Sequence, residues 1–464
     1  MTVKNDFSKG SIVKSILSMA LPMILAQLVN VLYNIVDRIF ISRMPGEAFL
    51  ALTGVGVCLP IISMVMAFAN LFGMGGGPLC SIERGRGNYD EAEKIMGNSF
   101  VLLLLSGIIL TVLGLLLKKP MLLLFGASEL TFPFADEYIT IYLMGNIFVL
   151  ISLGMNHFIN AQGFGKMGML TIVLGAVTNI ILDPIMIFVF KMGVQGAALA
   201  TIISQGLSAL WVLQFLTGKK AIITLKWRNF RPEMDRIRRI LGLGISGFVM
   251  QFTNSLVAMI FNTTLQQFGG DLYVGVMTVA NTIREFLTMP VLGLGSGAQP
   301  VIGFNYGAGK HRRVKSCIKF TTFASMLFTV IPWLLIESLP GFFITIFNSD
   351  PQVLQAGIPM MRLFYAGFSF MTLQHAGQST FVALGRSKHA IFFSTFRKVI
   401  LVVPLVIFLP RLWGLGSTGV FLAEPISEVV GGIACYTTML FTVWQELNGD
   451  QTETKPRLTK TRTP

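Results

Sequence analysis

The sequence predicts an all-α integral membrane protein of twelve transmembrane helices, arranged as two pseudo-symmetric six-helix lobes. Three observations carry this. Of 464 residues, 53% are hydrophobic and 12% charged, about half the roughly 25% charged content of a soluble domain. The apolar residues come in long blocks; 99–117 (SFVLLLLSGIILTVLGLLL) has no charge over a length that crosses a hydrocarbon core of ~30 Å. Finally, the chain repeats itself at a spacing of about 220 residues.

Apolar blocks between charged or turn-rich breaks give spans at 12–42, 49–80, 94–117, 132–160, 168–190 and 195–217, then 236–268, 272–303, 315–337, 353–382, 390–409 and 418–446. The long first two spans of each half tilt or kink, with Pro22, Pro60, Pro78, Pro290 and Pro300 as kink sites. Residues 218–235 are the polar, basic interruption between an N-lobe (1–217) and a C-lobe (236–447), and 448–464 read as a flexible basic tail. Gly85-Arg86-Gly87 parallels Gly307-Ala308-Gly309, Pro184 parallels Pro404, and Gly193-Val-Gln-Gly196 parallels Gly416-Ser-Thr-Gly419. Six spans per half is an even number, so the repeats share one orientation. That implies two bundles about an axis along the membrane normal, with a cavity between them.

The formal charge of +14 sits in loops. It therefore reads as topology signal and contact with anionic lipid, not as a nucleic-acid surface. The N-terminus, the even-numbered loops and the tail hold about 26 of the 36 Lys and Arg, against five on the other face (Arg43, Lys118, Lys119, Lys191, Arg411). Both termini are expected in the cytoplasm of a bacterial cell, the chain in its plasma membrane as a monomer. The first apolar run is too long for the core of a signal peptide. Cys58, Cys80, Cys317 and Cys435 are dispersed and the four histidines never cluster, which argues against a zinc site. Gly73-Met-Gly-Gly-Gly77 and Gly293-Leu-Gly-Ser-Gly297 lie inside apolar spans, so they read as close helix packing and not as phosphate loops. With no phosphate-binding GxxxxGK[ST] motif and no clustered catalytic groups, the sequence speaks for neither an ATPase nor a membrane enzyme. An ion gradient is the expected energy source, with no cofactor.

Ionisable groups within the membrane are costly and are functional candidates. Gln27, Asn30, Asn34 and Asp37 share one face of the first span. For the three amides, helix–helix hydrogen bonding competes with substrate contact. Asn179 and Asp183 lie one turn apart, directly before Pro184, which frees a backbone carbonyl. Thr201, with Ser204 and Gln205, gives the sixth span a polar face that could complete an oxygen-rich site; the competing reading is that Asp183-Pro184 caps a broken helix. Hard oxygen ligands suit a proton or Na⁺. A carboxylate held between helices can exchange protons in the physiological range; if proton and cationic substrate exclude one another there, antiport follows.

The second half lacks an equivalent acidic pair, having Gln251, Asn254 and Asn262, then Gln374, His375 and Gln378. Glu424 and Glu428, one turn apart, can pair with Arg397 or Lys398 as structure or as function. Glu285 and Gln374 are candidate substrate contacts, with Gln27, Asn30 and Asn34.

Ala20-Leu21-Pro22 with Asp37, the stretch 178–201 (TNIILDPIMIFVFKMGVQGAALAT) and 280–309 (ANTIREFLTMPVLGLGSGAQPVIGFNYGAG) together resemble the multidrug and toxic compound extrusion (MATE) family, nearest its MepA-like bacterial branch. The similarity runs from about residue 12 to 446. The resemblance implies two six-helix lobes and export of organic cations and drugs in exchange for H⁺ or Na⁺. It also implies an N-lobe cation site at Asp37, Asn179, Asp183 and Thr201, where Na⁺ is a candidate. Some relatives use acidic residues on the seventh and tenth helices; Gln or Asn stands in those regions here, which favours N-lobe coupling. The competing reading is a flippase for lipid-linked precursors, which would need a basic cavity for pyrophosphate. Arg284, Arg397 and Lys398 keep it open; the acidic first lobe opposes it.

Overall fold

A computed structural model describes residues 5–44, 48–347, 350–412 and 414–449, the side chains of Phe252, Ser255 and Gly449 aside. Helix α1 (Ile12–Ser42) starts at Ser11, whose side chain accepts from the Lys14 N–H. It is followed by α2 (Ala48–Gly85) and α3 (Tyr89–Leu124), the latter capped by Asn88. The crossing expected at 132–160 is two helices, α4 (Phe132–Met144) and α5 (Asn146–Ala161), bent by 56° at Gly145. Helix α6 (Gly165–Pro184) runs into a π-helical turn, Ile185–Val189, and α7 (Gly193–Thr217) completes the first lobe.

Helix α8 (Met234–Gly307) has 74 residues. Straight, it would be about 110 Å long, far more than a bilayer holds. It breaks at Gly270, whose φ of 65° and ψ of −167° suit a residue without Cβ. The limbs on either side are the two spans expected at 236–268 and 272–303, and both outer ends return to α2. Next come α9 (His311–Ser338), the short α10 (Pro340–Thr345), α11 (Pro351–Tyr365) and α12 (Met371–Ala383). Helix α13 (Ser387–Thr395) passes through a π-helical turn, Phe396–Val402, into α14 (Val403–Phe408). Helix α15 (Ser417–Met439) leads to α16 (Gln445–Gly449), and most of the basic tail, from Asp450 on, lies outside the described residues. Among the described residues, nine helices are long and apolar enough to cross a membrane, and the bent α4–α5 pair makes ten. Helix α8 supplies two crossings, and α11 with α12, joined by the turn Phe368–Phe370, supplies the twelfth.

The lobes meet at the end that carries the linker. A Cβ on Gly75 would collide with the Ile240 carbonyl, on Gly244 with that of Leu71, on Gly85 with that of Phe304, and on Gly307 with that of Ile82. In the second limb of α8, Gly293 faces Ile24 and Gly297 faces Ala20 of α1. These glycines let backbones touch, as small residues do between membrane helices. Gly244→Val is expected to wedge this end open. Spin labels on the exposed Arg86 and Arg312 should then report a longer separation; an unchanged distance would mean the seam absorbs the side chain.

Ion pairs frame the same end. Arg236 pairs with Glu91 at 2.9 Å and Arg239 with Glu83 at 3.1 Å, while Lys226 of the linker meets Glu93 at 2.8 Å. The linker is thus fastened to the first lobe, with Ile223 fully buried. The segment before α1 reaches both lobes. Asn5 Nδ2 donates to the Gly163 carbonyl at 3.2 Å, and the Phe7 carbonyl accepts from Asn305 at 3.2 Å and Arg313 at 3.0 Å.

Candidate functional site

The first-lobe site forms where α1, α4, α6 and α7 converge. Asn179 and Asp183 are fully buried and Thr201 is 5% exposed. Their four-residue spacing puts Asn179 and Asp183 on one helix face. Asn179 Nδ2 donates to Asp183 Oδ1 at 3.3 Å and to Thr201 Oγ1 at 3.4 Å. Directly after Pro184 the helix widens into its π turn, and the Phe190 N–H bonds back to the Ile185 carbonyl at 2.9 Å. Such turns recur at functional sites.

Asp37, half-buried on α1, brings its carboxyl group within hydrogen-bonding reach of Asp183. Asp37 Oδ1, Asp183 Oδ2 and Asn179 Oδ1 are buried without a hydrogen-bond partner. Two bare carboxylates at contact repel strongly in a low-dielectric site, so the arrangement calls for a proton or a cation between them. The unpaired oxygens are hard donors that fit either. Among the described residues no group of three or more His, Cys, Asp or Glu is arranged to hold a metal ion.

Sequence reasoning missed three tyrosines at this place. Tyr33, Tyr138 and Tyr142 cluster beside Asp37 and Thr201, and Tyr142 stacks on Tyr138 with ring centroids 6.3 Å apart. Tyr33 stands one turn before Asp37, and that spacing was the available signal. Ser204 and Gln205 serve packing instead: Ser204 Oγ donates to the Thr201 carbonyl at 2.7 Å, and Gln205 Oε1 accepts from Ser152 at 2.6 Å.

The remaining candidates lie elsewhere. Gln27, Asn30 and Asn34 are exposed along α1, and Asn34 Nδ2 donates to the Asn30 carbonyl at 2.7 Å within its own helix. Glu285 and Gln374 line a cavity of about 570 Å³ whose described walls belong entirely to the second lobe. Gln374 Nε2 donates to the Phe393 carbonyl at 3.4 Å, and its Oε1 is buried without a partner.

One wall of that cavity is a charge network. Glu424 Oε1 receives Arg284 at 2.7 Å, Arg397 at 3.1 Å and Lys398 at 3.3 Å. Glu428 pairs with Arg284 and, at 3.7 Å, with Arg397. The expected pairing of the glutamates with Arg397 and Lys398 is present, and Arg284 joins it. Arg397 and Lys398 sit in the π turn of the α13–α14 crossing. Gly431 leaves room for the Arg397 stem, since a Cβ there would lie 3.0 Å from Arg397 Cγ. The Arg284 guanidinium lies over the Phe364 ring, 5.4 Å from its centroid.

The internal repeat relates the two sites. Five residues beyond Gly196 is Thr201, and five beyond its counterpart Gly419 is Glu424. Corresponding helices therefore carry an acidic, neutral-partnered pocket in one lobe and a cation-rich network in the other.

Comparisons with known proteins agree with this architecture. The multidrug export protein MepA of Staphylococcus haemolyticus is 26% identical over 450 residues, 95% of each chain, and that of Staphylococcus aureus is 23% identical over 428 residues, 92% of this chain and 93% of the other. Among solved structures, a MATE in the bent conformation superposes with a TM-score of 0.91 at 22% identity, over 97% of this chain and 99% of that one. A multidrug resistance MATE family transporter in its outward-facing conformation gives 0.88 at 23%, over 96% and 98%. A family model described as MatE matches residues 22–185 and 248–408, one stretch in each lobe. The chain belongs to the MatE family and is a multi-pass membrane transport protein, not an enzyme.

Proposed function

We propose that the chain is a secondary active multidrug efflux antiporter, exporting organic cations and other amphipathic drug-like compounds in exchange for H⁺ or Na⁺. The observation that carries this is the buried meeting of Asp37 with Asp183, beside Asn179 and Thr201, with oxygens of three of these residues left unpartnered. Ionisable groups so placed within a membrane mark a path for a proton or cation. The MepA relatives, named as multidrug export proteins, support the substrate class. Glu285 and Gln374 on the cavity wall, and Gln27, Asn30 and Asn34 on α1, are the proposed substrate contacts. The chain works as a monomer among lipids of the bacterial plasma membrane. Its seam end, where the basic linker lies, faces the cytoplasm.

The flippase reading is the weaker one, because the cations of the C-lobe cavity are engaged with Glu424 and Glu428 and leave a single excess charge for a pyrophosphate. The test uses purified protein in liposomes loaded with a fluorescent organic cation, under an imposed pH gradient and then an imposed Na⁺ gradient. Transport driven by one gradient and lost in Asp37→Asn is the expected result and names the ion. Transport indifferent to both gradients would sink the antiport reading.

A further inference from the structure

The C-lobe network faces its cavity with a charge imbalance. Three cations, Arg284, Arg397 and Lys398, stand against two carboxylates, Glu424 and Glu428. All three converge on one oxygen, Glu424 Oε1, while Glu424 Oε2 and Glu428 Oε2 have no partner. Lys398 has Glu424 as its one ion-pair partner among the described residues, at 3.3 Å, yet an ammonium offers three donors. Its side chain is 18% exposed and lines the cavity, together with Arg284 and Arg397. An excess cation in a partly desolvated wall attracts an anion from the space it faces.

The cavity, at about 570 Å³, is within the size range of small-molecule sites, and Phe261, Leu292 and Phe364 give it apolar surface. Glu285 lines the same space and has no ion pair among the described residues. We propose that this wall is a subsite for a singly charged anionic group, the carboxylate of an amphipathic substrate, bound by Lys398 and Arg397 with any amine of that substrate directed to Glu285. One excess positive charge matches a carboxylate and undercompensates a pyrophosphate. A zwitterion so held brings no net charge into the cavity, which reduces the desolvation cost of its entry. The cavity then binds carboxylate-bearing amphiphiles as well as simple cations.

This inference rests on the exporter reading, so its test reads binding and not transport. Purified full chain in detergent is titrated, by fluorescence anisotropy, with a xanthene dye bearing a free carboxylate and with the ethyl ester of the same dye. The measured quantity is the ratio of the two dissociation constants. Lys398→Gln is expected to shift that ratio against the free acid by about tenfold, the scale of one hydrogen bond to a charged group. Lys398→Arg, which keeps the charge, is expected to preserve it. Repeating the titrations at low and at high chloride distinguishes the source of the anion. Competition by chloride that disappears in Lys398→Gln supports the subsite with an inorganic anion in it; a chloride-independent shift supports the substrate carboxylate. Both forms binding with the same ratio in parent and Lys398→Gln would overturn the subsite and leave the exporter reading intact. Failure of both forms to bind the parent protein would overturn the two together.

Discussion

Asp183→Asn is expected to abolish gradient-driven transport while the protein stays folded. The amide has the shape of the carboxylate and can still accept from Asn179 Nδ2, so Asn179 stays placed to donate to Thr201 Oγ1 across to α7. What disappears is the second carboxylate facing Asp37. The variant resembles a site whose Asp183 is permanently protonated: position 183 has no charge to regain when the ion leaves, and Asp37 alone is left to draw the next ion in. Gradient-driven export in liposomes should therefore collapse, whereas the unfolding temperature in detergent should match the parent or exceed it, because a repulsive pair is gone. Full transport by Asp183→Asn would remove the N-lobe pair from the mechanism. Loss of transport together with early unfolding would assign Asp183 to structure.

The largest stability effect is expected at Glu424. Glutamine there leaves Arg284, Arg397 and Lys398 facing Glu428 alone, at a position where Glu424 is 2% exposed. Breaking a buried ion network from one side costs about 3–5 kcal/mol. Adding Lys398→Gln returns the cluster to the parent's single excess charge and should recover much of the lost unfolding temperature, measured as loss of the monodisperse peak on heating. A Glu424→Gln protein as heat-stable as the parent would show that the network does not hold α13, α15 and α8 together. The same arithmetic makes Lys398→Gln alone a mild change, since it leaves two cations on two carboxylates.

Much of the fold was legible because a bilayer imposes length on every apolar block. The first span, read as 12–42, is α1 to the residue, and the 236–268 and 272–303 spans bracket the break at Gly270. The bend at Gly145 was not legible; it lies inside one continuous apolar run. Asp183 and Asp37 stood out because charge is rare in such helices. Tyr33, Tyr138 and Tyr142 did not, since an aromatic ring in a membrane helix ordinarily signals packing. The glutamate pair of α15 was visible, but the part of Arg284 depends on contact across 144 residues of sequence. The charge excess is a property of that assembled cluster.

The repeat correspondence between Thr201 and Glu424 has a consequence for how such a protein can change. Losing one cation from the C-lobe network makes it neutral; a net negative charge able to hold a cation takes either a second loss or one reversal of charge, such as Lys398→Glu. If the N-lobe pair couples transport as proposed, the opposite lobe can take over that role in one step only by reversing a charge at Arg284, Arg397 or Lys398. A plain loss of charge stops at a neutral cluster.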